Sequence, residues 1–111
     1  MPKRILLVDD EKVFSNYLDQ ILSRKGYQTD VANNGEEALA KVEKGRFDLI
    51  LSDIKMPKMS GLELLRQVSQ KQAGGEGGQE TAMVMMTAHG SVETAVEAMK
   101  IGASDYLIKP F

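Results

Sequence analysis

Cysteine is missing from all 111 residues. That removes disulfides, thiolate metal sites and a cysteine nucleophile together, and it suits a reducing cytoplasm. Long apolar runs are missing as well. Met1-Pro2-Lys3-Arg4 leads straight into a short strand-like run, so neither a signal peptide nor a membrane span is expected, and a cytoplasmic location is. No block of like charge occurs, and the formal net charge is only −2. Lys and Arg form no cluster, so direct nucleic-acid contact is not expected of this chain. No G-x-G-x-x-G follows the first apolar run. The one glycine-rich stretch, Ala73 to Gln79, lacks the lysine and the strand-to-helix setting of a phosphate-binding loop. It reads as a flexible surface loop. There is no internal repeat.

What remains is an ordinary globular balance, 42% apolar and 27% charged. The length fits one domain, residues 1–111, with one core. Ile5-Leu6-Leu7-Val8 is a continuous apolar run of the kind buried on both faces, and it ends in Asp9-Asp10-Glu11. A helix follows with Val13, Phe14, Tyr17, Leu18, Ile21 and Leu22 as its apolar stripe, stopped by Gly26. Tyr27 to Ala32 predicts a short edge strand. Asn34 and Glu37 open a helix that buries Ala38, Leu39 and Val42 and ends at Gly45. Phe47 to Leu51 is the next strand, and Asp53 follows it. Ser60 and Glu63 open a third helix through Leu62, Leu65 and Val68.

Ala82 to Met86 predicts a fourth strand that ends at Thr87, with its methionines as core filler alongside Met99. Glu93 to Ile101 predicts a helix with Val92, Val96 and Met99 inward, stopped by Gly102. Asp105 to Ile108 predicts a fifth strand. Strands alternating with helices imply an α/β fold, a doubly wound five-stranded parallel sheet.

The chemistry-bearing residues all follow apolar runs: Asp9 and Asp10 the first, Asp53 the third, Thr87 the fourth and Lys109 the fifth. In a parallel sheet these positions converge on one edge. Carboxylates gathered there repel one another, and a hard divalent cation, Mg²⁺ before any thiol- or imidazole-seeking metal, relieves that. A carboxylate can also act as a nucleophile toward phosphorus. Phosphoryl transfer then needs in-line positioning and neutralised equatorial oxygens, which Mg²⁺, the Lys109 ammonium and the Thr87 hydroxyl can share. Taken singly, each residue has a plainer reading: a solvated turn for Asp9-Asp10, a helix cap for Asp53, a backbone-bonded hydroxyl for Thr87 and a solvated lysine for Lys109. Their joint placement carries the functional one.

Val8-Asp9-Asp10-Glu11, Ser52-Asp53-Ile54-Lys55-Met56-Pro57, Ser60-Gly61-Leu62-Glu63-Leu64, Met86-Thr87-Ala88-His89-Gly90 and Asp105-Tyr106-Leu107-Ile108-Lys109-Pro110-Phe111 resemble the receiver domains of two-component response regulators. The likeness runs from the first strand to the last residue. Residues 87–111 are most similar to receivers of sigma-54-type enhancer-binding activators. The resemblance implies a flavodoxin-like receiver fold. It implies Asp53 as phosphoacceptor, taking its group from a phosphohistidine of a sensor histidine kinase or phosphotransfer protein. It also implies Mg²⁺ held by Asp10, Asp53 and the backbone carbonyl of Lys55, with Asp9 acting through water. Lys109 is implied to hold the phosphoryl oxygens, Thr87 to move toward them and Tyr106 to couple its rotamer to Thr87, reshaping the face of the fourth helix and fifth strand. A cis Lys109-Pro110 bond is implied too, and His89 and Lys55 resemble positions that tune dephosphorylation.

Receivers normally continue into a final helix and a downstream output domain. This chain is therefore expected to be a fragment lacking both, with an uncovered apolar strip beside the first helix that lowers stability or favours homodimers. On this reading the chain is a switch module with self-catalysed phosphoryl transfer, not a turnover enzyme. A phosphohydrolase with an aspartate nucleophile calls for an acid two residues beyond it, where Lys55 stands. The alternative is a receiver-like binding module that works without phosphorylation.

Overall fold

The computed structural model describes residues 3–73, 81–88 and 92–109. The strands are β1 (Arg4–Val8), β2 (Gln28–Ala32), β3 (Leu49–Asp53), β4 (Ala82–Thr87) and β5 (Asp105–Ile108). The helices among the described residues are α1 (Lys12–Arg24), α2 (Gly35–Lys44), α3 (Gly61–Ala73) and α4 (Val92–Ile101). All strand pairs are parallel, in the order β2-β1-β3-β4-β5. The chain leaves β1 toward one edge and β3 toward the other, so a crevice opens at their carboxyl ends.

Strand alternation divides the core. Leu6, Val8, Ile50, Met83 and Met85 face one way and pack with Ala38, Leu64, Leu65, Val68 and Ala98 of α2, α3 and α4. Ile5, Leu7 and Met86 face the other way, toward Leu18, Phe14 and Leu22 of α1. α1 lies over β1 and β2. Farther along that face Leu49, Leu51, Ala82 and Val84 are only half-buried, while Ile50, Ser52, Met83 and Met85 behind them are buried. The expected strip of incompletely covered sheet is therefore present.

Local signals work where a specific bond is at stake. Asn34 Oδ1 accepts from the Glu37 amide at 2.8 Å, and Ser60 Oγ accepts from the Glu63 amide at 3.2 Å. Gly26 takes φ +95° at the end of α1, a conformation costly for any residue with a Cβ. Among the described residues no helix is long and apolar enough to cross a membrane.

Two helical faces differ from expectation. In α1, Val13 and Tyr17 are 86% and 56% exposed, and the buried positions are Ser15 and Leu18. Ser15 can be buried because its hydroxyl donates to the Lys12 carbonyl at 3.2 Å. In α4, Val92, Val96 and Met99 point outward, 81%, 46% and 49% exposed, and the fully buried residue is Ala98. α4 lies against α3 and β5, and a side chain as small as alanine permits that close approach. The large apolar residues fall on the opposite side, so Met99 is not core filler, unlike Met83, Met85 and Met86. Tyr27 precedes β2, and its amide donates to the Leu22 carbonyl in the turn.

The two sheet edges share a detail. The Gln28 amide donates to Lys3 and the Ala32 carbonyl accepts from Asp9, so the even-numbered residues of β2 bond toward β1. The Val31 amide then points outward, and it donates to its neighbour Asp30 Oδ1 at 2.9 Å. On β5, Lys109 donates to Thr87, which leaves the Tyr106 amide outward. It donates to Asp105 Oδ1 at 2.7 Å. The expected loop at Ala73 to Gln79 falls almost wholly outside the described residues.

Candidate functional site at the carboxyl edge of the sheet

Each apolar strand delivers one polar side chain as its hydrophobic run ends. Asp9 follows β1 with its amide still bonded to Ala32 at 3.1 Å, which holds it in line with the strand, and it is buried. Asp10, the next residue, is exposed. Asp53 closes β3 at 5% exposure, Thr87 closes β4 buried, and Lys109 follows β5. The Lys109 amide donates to the Thr87 carbonyl at 2.8 Å, which extends the ladder one step and brings the lysine beside the acids.

One carboxylate oxygen from each of Asp9, Asp10 and Asp53 lies within 4.8 Å of the other two. The Lys109 ammonium donates to Asp9 Oδ2 at 2.6 Å and stands 3.4 Å from Asp53 Oδ2. The first is a strong charge-assisted hydrogen bond; the second is too long for one and acts mainly as charge. Asp9 Oδ1 also accepts from the Glu11 amide at 2.9 Å, so both its oxygens are engaged. Burial pushes the Asp53 carboxyl above the usual aspartate range and Asp9 adds to this, while Lys109 opposes it. Burial also works against the Lys109 ammonium, but Asp9 and Asp53 outweigh it and its pKa is raised.

Three acids against one ammonium leave negative charge in excess, and the donors are all oxygens, so a hard divalent cation fits the set.

The loop behind Asp53 is fixed by a close contact. The Gly61 amide donates to the Ile54 carbonyl at 2.7 Å, and a Cβ on Gly61 would sit 2.1 Å from the Asp53 carbonyl oxygen. Only glycine fits there. Lys55 has an exposed side chain in this loop. Tyr106 packs against the core cluster, and its hydroxyl is buried without a hydrogen-bond partner among the described residues.

Sequence reading thus named Asp9, Asp10, Asp53 and Lys109, and the structure brings them together. Thr87 sits at the end of the strand between Asp53 and Lys109. His89 and the Lys109-Pro110 bond lie outside the described residues. Two neighbours were missed. Glu11 Oε1 is 3.6 Å from the Lys109 ammonium, and the Phe14 ring centroid is 4.4 Å from it. By periodicity Phe14 belongs to the apolar stripe of α1. Its place one helical turn after Asp10 was the available signal.

The response regulator receiver domain family matches residues 5–111. The chain is 44% identical over 106 residues to the transcriptional regulatory protein ZraR of Klebsiella oxytoca, covering 96% of this chain and 23% of that protein. It is 38% identical to the transcriptional regulatory protein PcoR of Escherichia coli, covering 98% of this chain and 46% of that one. Among solved structures, response regulator TrrA of Thermotoga maritima in complex with Mg²⁺ and BeF superposes with TM-score 0.82 at 36% identity, covering 98% of this chain and 88% of that one. The chain spans less than half the length of ZraR or PcoR.

Proposed function

Since the chain belongs to the response regulator receiver family of two-component systems, we propose that Asp53 is its phosphoacceptor and that Mg²⁺ supports the transfer. The observation that carries this reading is the buried Asp53 carboxylate with Asp9, Asp10 and Lys109 converging on it. The phosphoryl group comes from a phosphohistidine of a sensor kinase or phosphotransfer protein. A bond forms between an Asp53 carboxylate oxygen and phosphorus, and the nitrogen–phosphorus bond breaks. The imidazole leaves with the bonding pair and takes up a proton from solvent.

Asp10, Asp53 and the Lys55 carbonyl would hold Mg²⁺, with Asp9 reaching it through water. When bound, Mg²⁺ neutralises charge on the phosphoryl oxygens. The chain's own residues supply the rest. Lys109 turns from Asp9 toward the new oxyanion, and the Thr87 hydroxyl donates to another of its oxygens. Tyr106 then responds to the displaced Thr87. Its buried hydroxyl, without a described partner, supports such movement, because an unsatisfied buried hydroxyl costs on the order of 1–3 kcal/mol.

The output is the face of α4 and β5, which passes the signal to a transcriptional domain in the part of the protein outside these residues. Residues 87–111 carry the sigma-54-type character that the sequence suggests on this reading. The chain acts in the cytoplasm as a switch and not as a turnover enzyme.

The test is an intact mass after incubation with Mg²⁺ and acetyl phosphate. One added phosphoryl group is expected, absent in Asp53→Asn and without Mg²⁺. A folded wild-type chain with no adduct would instead be a binding module independent of phosphorylation.

A further inference from the structure

The Lys109 ammonium, 4.4 Å from the Phe14 ring centroid, lies within the roughly 6 Å over which an aromatic face attracts a cation. The lysine side chain is only 7% exposed, so little water competes for it. Its charged neighbours among the described residues are Asp9 at 2.6 Å, Asp53 at 3.4 Å and Glu11 at 3.6 Å. Glu11 is well exposed and offers the ammonium a route out toward solvent. A lysine stem is flexible, and these acids alone leave the ammonium several competing positions. Phe14 projects from the first turn of α1 and packs against the cluster of Ile5, Leu7, Leu18 and Met86, so its ring is anchored.

We infer that Phe14 is a positioning residue, its ring face holding the Lys109 ammonium at the carboxylate site where phosphoryl oxygens arrive. Attraction to a ring face is broad in direction. The ammonium can therefore turn from Asp9 toward an oxyanion without leaving the ring. This inference rests on the phosphoacceptor reading of Asp53.

The test uses the whole chain with phenylalanine, monofluoro-, difluoro- or trifluorophenylalanine at position 14, beside Phe14→Tyr and Phe14→Leu. Fluorine drains charge from the ring face while nearly keeping its size. One readout is the rate of Asp53 phosphorylation by acetyl phosphate with Mg²⁺, acetate leaving with the bonding pair. The other is the ring-current displacement of the Lys109 ε-methylene resonances, which needs neither metal nor donor. The rate is expected to fall stepwise with fluorination, reaching roughly three- to tenfold in the trifluoro and leucine forms, and to be kept in Phe14→Tyr. The ring-current displacement is expected in wild type and absent in Phe14→Leu.

A purely packing role would leave the rate flat along the fluorinated series, and that outcome overturns the inference. So does a Lys109 resonance without ring-current displacement. A wild-type chain that takes up no phosphoryl group defeats the phosphoacceptor reading instead, and the ring-current measurement then decides by itself whether Phe14 holds the ammonium.

Discussion

Asp53 and Gly61 set the limits of the site at the scale of single residues. The folded chain holds the Asp53 carboxyl above its ordinary value of about 3.9. Folding is therefore disfavoured by this group as pH rises through the folded value, and relieved of that penalty below the unfolded one. Without Mg²⁺, Asp53→Asn is expected to raise stability at pH 7 in urea titrations. The gain should vanish as pH falls and the wild-type carboxyl becomes neutral. Phosphorylation of wild type should also fade in acid, at lower pH than the metal-free transition, since Mg²⁺ favours the ionised carboxylate and a protonated Asp53 is neither nucleophile nor ligand.

Gly61→Ala places a methyl group against the Asp53 backbone, so its cost, roughly 2–3 kcal/mol, should come with slowed phosphorylation of the displaced aspartate. A urea midpoint equal to wild type would show that the contact relaxes freely.

Secondary-structure elements show what a one-dimensional pattern reveals and what it leaves out. Alternation of apolar runs with helical periods sufficed for the five strands and four helices of the described residues, because β1, β3 and β4 are apolar through most of their length and polar near their ends. The same rule located Asp9, Asp53, Thr87 and Lys109, which are where those runs stop. Helix facing was less legible. Periodicity fixes which residues share a face, not which face docks. In α4 the larger set, Val92, Val96 and Met99, shares one face, but the docked position is Ala98. Val96→Ser is accordingly expected to change stability by no more than about 0.5 kcal/mol, while Ala98→Leu, forced between α3 and β5, should cost about 1–3 kcal/mol. Thermal melts of the pair would reverse this order if α4 docked by its larger residues. Contacts across the fold, such as Phe14 with Lys109, left only a faint trace, the place of Phe14 one turn after Asp10, because they depend on how α1 lies against β5's continuation.

The whole molecule has one sheet face well covered and the other covered mainly over β1 and β2. Completing the burial of a half-buried leucine such as Leu49 or Leu51 is worth about 1 kcal/mol. Self-association that rises with protein concentration is therefore expected in sedimentation, and Leu51→Glu should suppress it while leaving the adduct at Asp53 intact. A monomer at all concentrations would mean that the strip is too narrow to hold a partner.

The geometry of such association is constrained by Asp30 and Asp105. Each occupies an outward amide of an edge strand with its own carboxylate, one at either end of the sheet. A strand arriving from another chain would meet a carboxylate already bonded to the donor it needs, and at Asp30 that carboxylate is also paired with the Lys41 ammonium. Lateral growth of the sheet, the route by which incompletely covered β-proteins become fibrils, is thereby obstructed on both flanks. Copies of this chain can stack through their faces but are poorly suited to zip along their borders, so crowding should yield discrete soluble assemblies in place of ordered polymers.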